Sequence, residues 1–422
     1  MMLRAGYTFL LWLALPLIAV KIWLRSKREP GYAKGIAERF GRYATKPGAP
    51  VIWVHAVSVG EVRASVPLVS ALIKSYPDHV LLLTCMTAAG REAIEHAYGD
   101  SVHAAYLPYD YPFAVRRFLS HFRPRLGVLM ETEIWINLLA ECRRRSLPMV
   151  LANARMSQRS SLGYRRLSAL TRPAFESLAA VCAQSEPDAN RIASLGAHCV
   201  VVSGNLKFDV QPDMSLIPVG AALRRSLEKE NVLLLASTRQ GEEVLLLDAL
   251  SGRLSDDVAL VLVPRHPQRF EEAASLLGEA GLSFARRSRG EATAAVGVML
   301  GDTMGEMQAY YACADVAVIG GTFLPYGGQN LIEASALGVP VVIGPYVHNF
   351  SEAARLAVDS GAAVQVADAS EAIKVALTLL RDPERRKAMG TAGLAFCSAH
   401  RGATERHLAA IHKLFPPLRG PA

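Results

Sequence analysis

Two doubly wound α/β domains, each a parallel sheet with helices on both faces, are predicted by three observations. Short apolar runs alternate with helix-period segments along most of the chain. The alternation breaks once, at NLKFDVQPDMSLIPVG (205–220), where Pro, Gly and polar residues accumulate without a period, and then resumes. With 422 residues, 51% of them hydrophobic, the chain has material for two separate cores.

The first element stands outside this pattern. Sixteen uncharged residues lie between Arg4 and Lys21, followed by Ile22-Trp23-Leu24 and the basic flank Arg25, Lys27 and Arg28. The run reaches the ~20 residues of a membrane span if Lys21 extends its ammonium toward the headgroups. A flank that follows the run keeps the bulk of the chain cytoplasmic, so residues 1–24 are expected to anchor the protein in the inner membrane. A buried core helix and a cleaved signal peptide are the competing readings; the single Arg before the run and the lack of a clear small-x-small cleavage site count against the second.

From residue 25 to 210 the strand-like runs are VIWVHAV (51–57), VLLLTCM (80–86), RLGVLME (125–131), PMVLANA (148–154), AAVCAQS (179–185) and CVVVSGN (199–205). After the break, the expected second domain, 211–422, carries NVLLLAST (231–238), VALVLVP (258–264), VGVMLGD (296–302), DVAVIGG (315–321) and VPVVIGP (339–345). Two such domains imply a cleft, with ligands outside the carboxyl ends of the strands. The six cysteines are scattered singly, which excludes a disulfide scaffold and argues against a zinc site.

The formal net charge of +8 is unevenly spread. Residues 25–185 hold 22 Lys and Arg against 12 Asp and Glu, whereas 186–422 hold 22 against 26. The first domain should therefore meet an anion. Aromatic and basic residues do not interleave as in an RNA-binding sheet, so nucleic acid is the weakest candidate beside a membrane surface or an acidic substrate.

Polar residues that could do chemistry fall at strand ends. In HAVSVGEV (55–62), Glu61 follows a Ser-Val-Gly turn at the start of a helix, where it could serve as a general base. A first-turn carboxylate also stabilises a helix by ~0.3–1 kcal/mol through the dipole alone. Glu131 in METE, and Asn153 with Arg155, occupy two further strand ends. In the second domain, GGTFLPYGGQNLIEASALGVPVVIGP (320–345) joins a Gly-rich turn to a helix expected to begin at Gln329-Asn330, with Glu333 one turn in. Free N–H groups there suit a phosphate, and the carboxylate suits ribose hydroxyls. Arg265 and His266 in VLVPRHPQRF, and Met304-Gly305-Glu306 in GDTMGEM, reach the same face, so a nucleotide pocket is expected. No Gly-x-Gly-x-x-Gly follows a first strand and no Gly-x-x-x-x-Gly-Lys-Ser/Thr occurs, which weakens a dehydrogenase and excludes an ordinary P-loop ATPase.

HAVSVGEV, METEIWINL, NARMSQRS, GNLKFD, ASTRQGEE, VPRHPQRF, GDTMGEM and the 320–345 stretch, in this order, resemble the motifs of the bacterial 3-deoxy-D-manno-octulosonic acid (Kdo) transferases. The long Gly-rich motif is shared more widely among glycosyltransferases of the two-domain GT-B fold; HAVSVGE and GNLKFD narrow the resemblance to Kdo transfer. The resemblance implies an inverting transfer of Kdo from CMP-Kdo to a lipid A precursor (lipid IVA) in lipopolysaccharide biosynthesis, without a metal or other cofactor. It implies that Glu61 deprotonates the acceptor hydroxyl and that Glu131 and Lys207 stabilise the transition state. It also implies that Arg265, His266, Met304, Gly305, Glu306, Asn330, Leu331, Ile332 and Glu333 hold CMP. A UDP-sugar transferase acting on a lipid, or a membrane-bound nucleotide-binding module without catalysis, are the alternatives.

Overall fold

The structure is a computed structural model that describes residues 2–28, 30–294 and 296–417. Of the expected domain limits, Met1 and 418–422 lie outside the described residues, as do the side chains of Arg25 and Arg28 in the expected basic flank. Contacts divide the chain into one unit of residues up to 210 plus those from 401 onward, and a second of 211–400.

The first unit is built on seven parallel strands: β1 (Val51–His55), β2 (Val80–Cys85), β3 (His103–Tyr106), β4 (Pro124–Met130), β5 (Met149–Ala154), β6 (Ala180–Ala183) and β7 (Val200–Val202). Their order is β3-β2-β1-β4-β5-β6-β7. The strands read as continuous apolar runs because both faces are covered: Trp53, Leu82, Leu129 and Leu151 enter one core, while Ile52, Val54, Leu83 and Val128 enter the other.

The second unit repeats the architecture with β8 (Asn231–Thr238), β9 (Val258–Pro264), β10 (Ala285–Arg286), β11 (Val298–Leu300), β12 (Val316–Ile319), β13 (Val341–Ile343) and β14 (Ala363–Gln365). The order is β10-β11-β9-β8-β12-β13-β14, again all parallel. The order reverses between β1 and β4 in the first sheet and between β8 and β12 in the second, where the edge strand β10 also lies outside β11. At such a switch point adjacent loops diverge to opposite faces and leave a crevice for ligand.

Every strand expected from the sequence is present. The three that were not expected, β3, β10 and β14, are two to four residues long and lie at sheet edges. An edge strand pairs on one side only, so a long apolar run is neither required nor safe there.

The stretch 205–220, where the alternation breaks, contains the boundary between the units, and it is ordered: Leu206–Phe208 form a 3-10 turn with Leu206 and Phe208 buried, and a helix begins at Leu216. The expected C-terminal limit of the second domain is corrected: the second unit ends at residue 400. The helix Ala403–Leu414 packs on the first unit, where Asp209 accepts hydrogen bonds from the Gly402 N–H (2.8 Å) and the Thr404 hydroxyl (2.7 Å). No periodicity distinguishes a helix covering its own sheet from one that returns to another.

The helix Met2–Arg28 includes a 23-residue apolar stretch, Met2–Leu24, long enough to cross a membrane, and Leu10, Leu13, Leu17 and Trp23 are exposed on it. Its first turns nevertheless dock on the first unit. The Tyr7 hydroxyl donates to Asp110 (3.0 Å), the Tyr111 hydroxyl donates to the Leu11 carbonyl (2.7 Å), and Trp12 stacks on Phe113.

Candidate active site

Glu61 enters the first helical turn of Val59–Ser75, directly after β1 at the switch point. Ser58 caps this helix, and its hydroxyl donates to Glu61 Oε1 (3.1 Å) while the Val57 N–H donates to Oε2 (2.7 Å). The turn is thus a variant of the capping box, and part of the reason for a Glu here is structural. A carboxylate has about four acceptor positions, so two remain for another partner. Burial pushes its pKa up, to about 8; Glu131 and Glu133 push the same way, opposed by the Val57 N–H and the Ser58 hydroxyl. A carboxyl raised to that range is a stronger base than an ordinary glutamate.

Glu131 follows β4 on the other side of the same switch point, with φ +57, a left-handed conformation that costs energy for a side chain other than glycine. Its Oε1 lies 3.5 Å from Lys207 Nζ, and both side chains are largely buried. The lysine is held through a chain of motif residues. Asn205 accepts from the Lys207 N–H (3.0 Å) and donates to Gln184 (3.1 Å), which donates in turn to the Asn153 carbonyl (2.9 Å). Asn153, itself at φ +51, accepts from the Leu206 N–H (3.0 Å) and donates its own N–H to His407 Nε2 (2.9 Å). That bond requires an unprotonated Nε2, and burial holds the His407 pKa down at about 4. Asn153 therefore supports the site from behind.

In the second unit, β8 and β12 end at the other switch point. Glu242 is fully buried and accepts three backbone N–H bonds, from Arg239 (2.8 Å) and Gly321 (2.6 Å) on Oε2 and from Phe323 (2.9 Å) on Oε1. This ties the ASTRQGEE turn to the Gly-rich turn. The two approach so closely that a Cβ on Gly320 would lie 2.5 Å from Thr238 Cα. Arg265, after β9, donates from Nε to Gln329 Oε1 (3.1 Å), which joins a third loop to the same turn.

The expected helix starts later than Gln329-Asn330 and is short. It spans only Ile332–Ala336, with Asn330 accepting from the Ile332 N–H (3.2 Å) and donating to Glu333 Oε1 (2.9 Å). One turn and a half makes a weak dipole, so an anion here depends on Arg265 and the loop N–H groups more than on the helix. Leu331 and Ile332 are buried, which leaves only their backbones to face a ligand. His266 has its pKa lowered by burial and by Arg239, Arg265 and Arg269, so its ring is a neutral hydrogen-bonding group. Glu306 is turned to Arg287 (2.9 Å) and to the Thr303 hydroxyl (2.6 Å), while Met304 is exposed and Gly305 sits at φ +86.

Three residues with a part in these clusters were not singled out from the sequence. Glu133 acts on Glu61 electrostatically, and its own pKa is raised by burial. Its only sequence signal is its place in METE. Glu242 and Arg239 stand in ASTRQGEE, where a doubled Glu after a turn reads as ordinary helix-start chemistry. Among the described residues, no group of three or more His, Cys, Asp or Glu is placed to hold a metal ion.

Comparison with known proteins follows the same division. Residues 34–210 match the family described as 3-deoxy-D-manno-octulosonic-acid transferase (kdotransferase), and 290–395 match glycosyl transferases group 1. The chain is 44% identical over 425 residues to the 3-deoxy-D-manno-octulosonic acid transferase of Bordetella pertussis, covering 97% of this chain and 98% of that protein. It is 36% identical over 416 residues to the enzyme of the same name from Haemophilus influenzae, covering 96% and 97%. A solved glycosyltransferase from Rickettsia africae is similar in fold, with a TM-score of 0.60 at 10% identity over 87% of this chain and 99% of that one.

Proposed function

The chain belongs to the 3-deoxy-D-manno-octulosonic acid transferase family, and from that premise we propose that it transfers Kdo from CMP-Kdo to a sugar hydroxyl of a lipid A precursor at the inner membrane. The observation that carries the mechanism is the cluster at the first switch point: Glu61 with a pKa of about 8 beside the Glu131–Lys207 pair.

An alcohol is a poor nucleophile until its proton has somewhere to go. In this reading the acceptor oxygen attacks the anomeric carbon of Kdo, Glu61 takes its proton, and the bond from that carbon to the phosphate oxygen breaks. CMP leaves with the electron pair, and the configuration inverts. Lys207, fixed by Glu131 and the Asn205 turn, offsets charge on the reacting groups. Arg265 and the N–H groups of the Gly-rich turn face the leaving phosphate, and Glu333 accepts from the ribose hydroxyls. Purified protein with a lipid A precursor and CMP-Kdo should yield a product heavier by whole Kdo residues in mass spectrometry. Transfer from a UDP-sugar instead would overturn the donor assignment.

Two further outcomes are expected. Glu333→Ala should weaken CMP binding by ~1–3 kcal/mol, because the ribose hydroxyls lose a charged acceptor; unchanged affinity by calorimetry would remove Glu333 from the site. Asn330, which donates to Glu333, would keep only its bond from the Ile332 N–H in the same variant. Deleting residues 1–24 should abolish binding to vesicles of anionic lipid and leave CMP affinity intact, since the groups proposed for CMP belong to 211–400. The deletion also uncovers Asp110, but its bonds from the Asn137 and Leu138 N–H groups (2.9 and 2.8 Å) remain. A truncated protein that is unfolded by circular dichroism would make the helix part of the core.

A further inference from the structure

We infer that Arg239 is the residue that binds the sugar carboxylate of the donor and so selects an acidic sugar nucleotide; the inference rests on the CMP-Kdo reading above. Kdo is an acid, so its nucleotide carries two anionic groups, the phosphate and the sugar carboxylate. Arg265 is pinned to the Gly-rich turn through Gln329 and suits the first. The second calls for another cation in a fixed position on the same face.

Arg239 meets that requirement. It leaves β8 at the switch point, after a register shift between Ala236 and Thr238 and a left-handed Ser237 (φ +57) that turn the chain out of the sheet. Its N–H shares Glu242 Oε2 with the Gly321 N–H, so the Arg239 turn and the Gly-rich turn are held by one buried oxygen. The guanidinium carbon lies 4.6 Å from the ring centroid of Tyr326. Tyr326 is fixed in turn: its hydroxyl donates to the Gln240 carbonyl (3.0 Å) and its carbonyl accepts from Asn349 (3.0 Å).

Stacking against a ring engages the flat face of a guanidinium and leaves the in-plane N–H donors for an anion, where the planar fork matches a carboxylate. Several arginines of this unit are already committed. Arg224, Arg269, Arg286 and Arg287 each form an ion pair, whereas Arg239 forms none among the described residues. Arg239 and Arg265 both act on the His266 ring and, after burial, help keep it uncharged, so both guanidinium groups are close enough to one neutral ring to be felt there. Two cations after neighbouring strands at one switch point suit a donor that carries two negative groups.

The test is calorimetry on the full-length protein in detergent, titrating CMP and CMP-Kdo separately into the parent, Arg239→Met and Arg239→Lys. Arg239→Met should weaken CMP-Kdo ~10-fold or more while CMP changes less than ~3-fold, because only the first ligand carries the carboxylate. Arg239→Lys should fall between, keeping the charge without the planar fork. Equal loss for both ligands would make Arg239 a phosphate or nucleotide contact, and no loss for either would make it a surface residue; each overturns the inference. A parent protein that binds CMP but not CMP-Kdo overturns the donor reading itself, which the variants alone would not do. If Arg239→Met unfolds, the ratio of the two affinities in Arg239→Lys decides.

Discussion

Glu61→Gln is expected to lower turnover by ~10² to 10⁴ with CMP affinity within a few-fold of the parent. Gln keeps the shape and can still accept from the Val57 N–H, so the turn should survive, but it cannot take a proton at neutral pH. The parent should also show turnover rising with pH through about 8, the range to which burial and the neighbouring carboxylates push Glu61. The variant should lack that limb. Its stability follows a sign opposite to the dipole expectation. A carboxyl whose folded pKa is raised above the ordinary value binds its proton more tightly when folded. Its contribution to stability is complete below the ordinary carboxylate range and is lost as pH climbs through about 8. The parent should therefore lose stability as pH rises from the ordinary carboxylate range to about 8, and level off above it, in a way the Gln variant does not, and the variant should melt no lower than the parent at the alkaline end. Turnover above about a tenth of the parent would be hard to reconcile with a base worth 10²-fold or more.

The stability sign shows what position in sequence can and cannot tell. That Glu61 begins a helix is written in the Ser-Val-Gly turn before it. That it is partly buried and feels Glu131 and Glu133 depends on β1 and β4 being neighbours, and strand order is invisible to periodicity. The same limit explains the rest of the site. Lys207 stood in a stretch that reads as a linker, because its turn is ordered by residues far along the chain: Asn153, Gln184 and, through the Asn153 N–H, His407 in the last helix. Buried strands announce themselves by apolar runs of four to eight residues, whereas β3, β10 and β14 are too short to do so. In the second unit the Gly-rich turn was legible from its glycines. Glu242 was not, since a fully buried carboxylate clamping three N–H groups has the same local sequence as a solvent-exposed first-turn glutamate.

Lys207→Met is expected to lower turnover by ~10² to 10³, comparable to removing an oriented group that stabilises transition-state charge. Three carboxyl groups, Glu61, Glu131 and Glu133, act on one another at the first switch point, and the Lys207 ammonium is the cation that meets Glu131 there. Met retains much of the apolar stem and removes the charge. Glu131, held at φ +57 against its backbone preference, would then stand partly buried without its ion-pair partner. Losing a positive charge disfavours every anion nearby, so the rise of turnover with pH should move above its parent position near 8. A purely structural lysine gives a different pattern: a lower melting temperature, turnover per folded molecule near normal, and the pH limb unmoved. Lys207→Arg separates charge from shape, because it keeps the cation while altering its reach. It should return the pH limb toward the parent even if turnover recovers only in part. An unmoved limb in Lys207→Met, with near-normal turnover, would take Lys207 out of the catalytic cluster and leave its bond to Glu131 as a brace for the turn.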